Sequence, residues 1–415
     1  MKFLLLPVGS AGDVHPYVAI GSALKKRGHD ITVVTNPHFE ALIKATGLQF
    51  RPWGTVEQFD SLTRNPHLWH QRKGLQVISA KLRSEMSALY EILRSEYERG
   101  PLAIVAHGLA FAARLAHETL GVPLVTIHLQ PSSFFSAYDT PVFHRWLKSI
   151  NRLPIGPKRL LLKLATREAD RILGLAVNKL RAEQHLAPAQ QIFRRWWHSP
   201  QQVIGLFPEW YAKPQPDWPP QTTLTGFLLF DADTGEPLPP AAERFLDAGS
   251  PPLVFAPGSA NRQASRFFRA AIDACQYLGR RGLLLTPYRA QLPPVLPKEV
   301  QAFDYVPLGR LLPHASGLVH HGGIGTAAQG LAAGLPQLVM PMAYDQPDNA
   351  NRLESLGVAH TIWPKSFTGP RLATSLDDLL SSERVKVSCS EIAERIHNEN
   401  PISQTCELIE RTSQR

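Results

Sequence analysis

Two stretches hold the residue types and spacing of an anion and sugar site: His320-His321-Gly322-Gly323-Ile324-Gly325-Thr326 and, further on, Ala343-Tyr344-Asp345-Gln346-Pro347. Residues 317–320 read as a short buried strand and residues 326–333 as a helix, with a glycine-rich turn between them. A strand that feeds a helix through glycines presents unpaired backbone N–H groups where the helix dipole also favours negative charge. The imidazole of His321 adds a donor there. Past the strand-like run 338–341, Asp345 and Gln346 place a carboxylate and an amide at another strand's carboxyl end, where ligands of open α/β sheets bind. A phosphate cradle beside a polar pair able to read hydroxyls points to a nucleotide sugar. The competing reading is an ordinary glycine-rich β–α turn.

Gly9-Ser10-Ala11-Gly12-Asp13-Val14-His15-Pro16 is the second informative motif, placed between a strand-like run at 3–8 and a helical pattern at 16–27. It is not the dinucleotide fingerprint, because the third glycine is missing and Pro16 stands at the expected helix start. Asp13 ahead of Pro16 reads as a helix cap, worth roughly 1 kcal/mol. A reactive carboxylate is the alternative, and spacing alone does not choose. Pro257-Gly258-Ser259 follows the first strand of the second half and offers a hydroxyl and a backbone N–H to a diphosphate. Asp231-Ala232-Asp233 has the form of a metal-binding Asp-x-Asp, but it lies in a proline-rich stretch and reads as solvated loop charge. No metal site is expected. Leaving-group charge would be met by His321, Thr326 and backbone dipoles.

The elements that position these residues alternate between β and α patterns, which predicts parallel sheets with helices on both faces. Strand-like runs at 31–35, 104–106 and 124–127 are interleaved with helical patterns at 39–46, 73–99, 110–120 and 158–186. Alternation resumes at 253–256 and continues through 338–340. Proline-rich segments at 208–220 and 231–240 place a linker within 208–240. A chain of 415 residues also exceeds what one core usually fills. The expected domains are therefore 1–222 and 223–389, followed by a long amphipathic helix within 390–415.

Composition narrows the class. Apolar content of 44% and charged content of 19% describe a globular chain. The apolar start is too short for a signal peptide, and no run is long enough to span a membrane. Cys275, Cys389 and Cys406 are odd in number and lack metal spacing, as expected of reduced thiols in a cytoplasmic protein. The net charge of +9 comes from scattered Lys and Arg without a nucleic-acid-binding motif, so no nucleic-acid partner is expected. Solvated charge, an acidic substrate or peripheral contact with anionic phospholipid at the inner membrane face all fit it. An NAD-dependent oxidoreductase would need Gly-x-Gly-x-x-Gly with an acidic residue about twenty positions later, and neither half has the pair. The oligomeric state is not legible.

From Tyr305 to Gln346 the order of elements resembles the donor-binding motif of the family 1 nucleotide-sugar glycosyltransferases. In that resemblance His321 is the family's histidine. Gly323, Gly325 and Thr326 take its small and hydroxyl positions, and Asp345-Gln346 its sugar-reading pair. Tyr305, with Val306 beside it, replaces the base-stacking Trp, and Leu308 replaces a Gln. Gln329 stands where the family has an acidic ribose ligand. Ser10, Gly12, Gly258 and Ser259 join the donor side. Sterol and antibiotic members carry Asp as general base in a Gly-x-x-Gly-Asp context, which assigns Asp13 that role. The chemistry needs a base because an alcohol is a poor nucleophile, and an apolar surround raises a carboxylate's proton affinity. His15 is the second choice.

The first half also resembles the rhamnosyltransferases of rhamnolipid synthesis, through Gly9–Val14, Trp197-His198-Ser199-Pro200-Gln201, Leu206-Phe207-Pro208, Asp217-Trp218-Pro219 and Thr225-Gly226-Phe227. The resemblance implies a GT-B fold, in which two Rossmann-like, doubly wound domains face a central cleft and the last helix returns to the first domain. It implies an inverting, metal-independent O-glycosyltransferase that needs no cofactor. Glucose or rhamnose would pass from UDP or dTDP to the hydroxyl of a hydrophobic acceptor or lipid. First-half aromatics, among them Trp53, Trp69, Tyr138, Trp146 and Trp210, are expected mostly in the core, with some lining an acceptor site. The non-catalytic alternative is a nucleotide-sugar or lipid carrier on the same fold.

Overall fold

The computed structural model describes residues 1–70, 73–230 and 238–414. Its first unit comprises Met1–Phe230 together with Asn400–Arg415, and its second comprises Asp231–Glu399.

In the first unit seven parallel strands, β1 (Lys2–Leu6), β2 (Asp30–Thr35), β3 (Gln49–Pro52), β4 (Leu102–His107), β5 (Leu124–His128), β6 (Gln202–Gly205) and β7 (Thr222–Leu224), stand in the order β3-β2-β1-β4-β5-β6-β7. β1 pairs with both β2 and β4, Leu4 lying against Thr32 and Ile104. The connections carry α1 (Ala11–Lys26), α2 (Glu40–Ala45), α3 (Val56–Arg64), α4 (Gly74–Glu98), α5 (Phe111–Leu120) and α6 (Ile155–Glu183). Leu4, Leu6, Ile104 and Ala106 of the sheet join Leu89, Leu93, Phe111 and Leu115 of the helices in one buried core.

The second unit repeats the plan with six parallel strands: β8 (Leu253–Ala256), β9 (Gly282–Leu285), β10 (Val300–Phe303), β11 (Gly317–His320), β12 (Gln337–Val339) and β13 (Ala359–Thr361), ordered β10-β9-β8-β11-β12-β13. Its helices are α7 (Pro240–Asp247), α8 (Ser265–Leu278), α9 (Leu308–Leu311), α10 (Ile324–Ala332), α11 (Gln346–Ser355), α12 (Gly369–Ser381) and α13 (Glu383–His397). Leu253 and Phe255 enter one core cluster, whereas Val254 and Ala256 enter another on the opposite face. A strand covered on both faces needs this unbroken apolar run. Each unit is therefore a doubly wound α/β fold. Strand order reverses between β1 and β4 in the first and between β8 and β11 in the second, and ligands bind beside such reversals.

The C-terminal return differs from the single long helix expected within 390–415. α13 stays with the second unit, and a separate helix, α14 (Pro401–Ser413), belongs to the first. Pro401 cannot continue a preceding helix, and the Asn400 side chain caps the new one by accepting from the Ser403 N–H. In the first unit Glu410 of α14 meets Arg27 and His29, each at 2.8 Å. Thr405 donates to Thr225 at 2.9 Å. The division between units falls after Phe230, inside the expected linker but eight residues beyond the expected boundary at 222. Asp231 and Asp233 of the Asp-x-Asp motif lie outside the described residues.

Candidate active site

Helix α1 begins at Ala11, not near Pro16 as the pattern predicts. Asp13 is thus the third helical residue instead of the cap. Its Oδ2 accepts from the Ser10 backbone N–H at 2.7 Å and from the Ser10 hydroxyl at 3.1 Å. That reciprocal bond starts the helix a turn early and leaves Pro16 inside it, where its ring removes the donor to the Gly12 carbonyl. The same bond folds the carboxylate back over Gly9. A Cβ on Gly9 would lie 2.1 Å from Asp13 Oδ2, and Gly9 has a φ of +142°. Only glycine fits both demands.

Burial raises the Asp13 carboxyl from 3.8 to about 6, and the two Ser10 bonds only partly oppose the rise. Near neutral pH it is therefore a carboxylate with an unusual appetite for protons. Tyr17, one turn along α1, is fully buried with its hydroxyl unpartnered. Burial and the nearby Asp13 charge push that phenol well above its ordinary range. His15 is half-buried, packs edge-on against Phe230 at 5.6 Å, and is lowered by burial to about 4. It is the weaker base of the two.

In the second unit the loops after β8 and β11 meet at one imidazole. A Cβ on Gly258 would come 3.1 Å from His321 Nε2, and one on Gly323 would come 2.5 Å from it. Both glycines make room for the ring. Burial lowers His321 to about 4, against a smaller upward pull from the Ala256 backbone. It is neutral at pH 7, and its Nδ1 is buried without a hydrogen-bond partner. Gly323 is the N-cap of α10, so the N–H groups of Ile324, Gly325 and Thr326 open beside the ring. Gly325 and Ser259 are exposed, whereas Thr326 and Gln329 are half-buried. Tyr305, after β10, is 51% exposed, while the adjacent Val306 is buried.

The polar pair divides. Asp345 is half-buried and accepts from Asn349 Nδ2 at 2.7 Å; the same amide nitrogen also donates to the Gly322 carbonyl at 2.9 Å. Gln346 is 2% exposed, and its Oε1 accepts from the backbone N–H of Met342 at 2.8 Å and Ala343 at 3.3 Å. Its amide oxygen is committed to holding the loop.

Several polar residues of these loops escape the sequence reading. His320 is fully buried and accepts the Gly322 N–H on Nδ1 at 3.1 Å, which puts its proton on Nε2. Asn261 and Gln291 brace the loop after β8, Gln291 donating to the Asn261 carbonyl at 3.0 Å. In the first unit the Trp197-His198 motif has a partner no spacing shows, His128 at the end of β5. The Trp197 indole donates to His198 Nε2 at 3.0 Å, and His198 Nδ1 lies 2.9 Å from His128 Nε2. Burial holds His198 at about 3 and His128 well below its ordinary range, so both are neutral. The chain then runs one way: indole to His198, and His198 Nδ1–H to His128.

The described residues contain no helix long and apolar enough to cross a membrane. Three of the first-half aromatics stand out from the core: Tyr97, Tyr138 and Trp146 are exposed, whereas Trp53, Trp196, Trp197, Phe134 and Phe207 are buried.

Residues 3–138 match the sequence family described as glycosyltransferase family 28 N-terminal domain. Residues 287–409 match the erythromycin biosynthesis protein CIII-like C-terminal domain. Together the two cover more than half of the chain. An O-mycaminosyltylonolide 6-deoxyallosyltransferase of Streptomyces fradiae is 28% identical over 99% of this chain and 97% of its own length. A sterol 3-beta-glucosyltransferase of Arabidopsis thaliana is 26% identical over 97% of this chain, which spans 64% of that longer protein. Among solved structures, the glycosyltransferase VinC in complex with dTDP superimposes with a TM-score of 0.70 at 19% identity, both chains being covered in full. With two doubly wound units, a carboxylate and an imidazole at their strand reversals and these matches along nearly its whole length, the chain belongs to the family 1 glycosyltransferases and has the GT-B fold.

Proposed function

We propose that the protein is an inverting O-glycosyltransferase that moves a hexose from a UDP- or dTDP-sugar to the hydroxyl of a hydrophobic acceptor, without a metal. The observation that carries this reading is Asp13, a carboxylate raised to about 6 at the strand reversal of the first unit. As the acceptor oxygen bonds to the anomeric carbon, Asp13 takes the hydroxyl proton. The bond from that carbon to the diphosphate oxygen breaks, and the nucleoside diphosphate leaves with the electron pair. Attack from the face opposite the leaving group inverts the anomeric centre. The neutral His321 ring, Thr326 and the first N–H groups of α10 meet the charge on the departing diphosphate, where preorganised donors are most effective. Asp345 addresses sugar hydroxyls, and Tyr305 stacks on the base.

The nucleotide assignment draws support from VinC, solved with dTDP, and from the glucosyl and deoxyallosyl transfers for which the two relatives are named. Their names also point to a sterol and to O-mycaminosyltylonolide as acceptors. A large apolar acceptor would gain about 25 cal/mol per Å² on burial. The test is a panel of UDP- and dTDP-hexoses against phenols, sterols and hydroxy-acids graded in apolar size, in chelator, with the product's anomeric configuration read by NMR. Nucleoside diphosphate released only when acceptor is added, with an inverted product, supports the reading. Donor binding without transfer to any acceptor makes the protein a carrier instead, and dependence on added magnesium or manganese overturns the metal-free mechanism.

A further inference from the structure

The segment that enters α6 has its polarity arranged against a soluble fold. Residues 140–167 contain seven Lys or Arg and no Asp or Glu. Among the same residues Trp146, Leu153, Ile155, Leu160, Leu161 and Leu164 are exposed, Trp146 at 63% and Leu160 at 59%. The first half of α6 is held to the protein by a narrow stripe, Lys158, Leu162 and Thr166, at successive turns. Leu160 lies two residues from Leu162, more than half a turn round the helix, and Leu164 sits one turn above Leu160. The leucine row therefore faces almost directly away from the side that packs. Lys163 and Arg167 flank that row, and both are exposed. The second half of α6 is different: Leu173, Ala176, Val177 and Leu180 are buried.

An apolar row on the outside of a packed helix, next to unopposed cations, is costly in water unless something covers it. Sign and pattern together select the cover. Trp and Leu on the outward face with Lys and Arg at its flanks make the arrangement by which interfacial helices lie in a headgroup layer. The exposed Arg145, Arg152, Lys163 and Arg167, in a stretch that holds no acidic residue, favour a surface rich in negative phosphate. We propose that residues 145–167 dock the protein on an anionic lipid bilayer. Trp146, Leu160, Leu161 and Leu164 enter the headgroup boundary, and Arg145, Arg152, Lys163 and Arg167 meet lipid phosphates. This inference is independent of the sugar donor and of the role of Asp13. It would bring the first unit to the place where amphiphilic acceptors are concentrated.

The experiment is vesicle flotation of the full chain, with phosphatidylcholine alone or with a minor share of phosphatidylglycerol. Wild type should float with the anionic vesicles, weakly with the neutral ones, and lose about tenfold or more of its binding between about 0.1 M and 0.5 M salt. Leu160→Glu/Leu164→Glu and, separately, Lys163→Glu/Arg167→Glu should each reduce anionic binding about tenfold or more with unchanged thermal melting. Val295→Asp, at an 82% exposed apolar position of the second unit, should bind as wild type does. Because the replaced side chains are exposed, the folds should survive; should the leucine pair melt early, the cation pair still decides. Failure of wild type to float with anionic vesicles, or flotation of both double variants at wild-type level, overturns the proposal. So does a wild-type dimer in solution that the leucine variant converts to monomer without any vesicle binding, which would make this face a contact between copies.

Discussion

Asp13 and His321 each follow an inner strand at the strand reversal of a parallel sheet, beside the start of a helix, yet burial has driven them in opposite chemical directions. The acid is raised to about 6 and the base lowered to about 4. Burial disfavours whichever form carries charge, so one environment makes the carboxylate a better proton acceptor and keeps the imidazole a neutral donor. Both side chains occupy space that a glycine leaves empty. They differ in how they are held. Asp13 is fixed within its own helical turn by Ser10, three residues away. His321 is fixed by glycines of two loops more than sixty residues apart in the chain. A reactive group held locally can be changed without disturbing the sheet, whereas one held by tertiary packing cannot.

The largest effect should come from Asp13→Asn. The amide retains the oxygen that accepts from Ser10, so fold and donor affinity should persist while turnover falls roughly 10²–10⁴-fold. Wild-type kcat/KM should decline about tenfold per unit as pH drops below about 6 and stay level above it. A variant retaining near-native turnover would remove Asp13 from the base position and promote His15.

His321→Ala should follow, with roughly 10²–10³-fold slower transfer, the size expected for one donor to a developing anion. Nucleoside-diphosphate affinity should weaken with it. Calorimetry of nucleotide binding beside single-turnover rates separates the two effects. If binding weakens and the chemical step is untouched, His321 holds the ground state alone.

Next in size is the pair Gly9→Ala and Gly258→Ala, which sets local against tertiary support directly. At Gly9 the new methyl coincides with the Asp13 carboxylate, and the φ of +142° adds strain. Turnover should fall roughly 10–10²-fold with the donor affinity intact, because only the carboxylate is displaced. At Gly258 the methyl would sit 3.1 Å from His321 Nε2 at a φ of +104°. Donor affinity and turnover should then fall together. Identical responses of the two variants in nucleotide binding would dissolve the distinction.

Much of this contrast was legible in the chain because it is written in short-range chemistry. Gly9 to Asp13 and His321 to Thr326 are contiguous, and the apolar runs of β1, β4, β8 and β11 carry the burial of inner parallel strands. Edge elements were not legible. Gln49-Phe50-Arg51-Pro52 forms β3 with neither alternation nor an apolar run, and β7 has three residues. The start of α1 is masked in the sequence because Pro16 signals a helix start more strongly than the Ser10–Asp13 pair that begins it at Ala11. The commitment of the Gln346 oxygen to the backbone, and the hydrogen bond between His198 and His128 from 70 residues away, depend on tertiary placement that spacing does not encode. The outward leucines of α6 merge in the sequence with one helical pattern over 158–186, since periodicity reports that an apolar stripe exists and not which side of it faces water.

The smallest effect is on stability, and here the two groups should show opposite signs with pH. The Asp13 carboxyl titrates near 3.8 in an unfolded chain and about 6 in the folded one. As pH rises through that window the unfolded state ionises first, so Asp13 progressively destabilises the fold, and the full cost is present above about 6. His321 titrates at 6.5 unfolded and about 4 folded. As pH falls through its window the unfolded state gains the proton first, so its cost grows downward and is complete below about 4. The cost is at most about 3 kcal/mol for Asp13 and about 3.5 kcal/mol for His321, since one pKa unit corresponds to about 1.4 kcal/mol. The change in Tm produced by Asp13→Asn relative to wild type should therefore become more favourable between pH 4 and pH 7. The change produced by His321→Ala should become more favourable in the reverse direction, offset by a constant for the cavity left behind. Taking the slope of each difference against pH removes that constant. Parallel slopes would show that burial does not set the two groups apart.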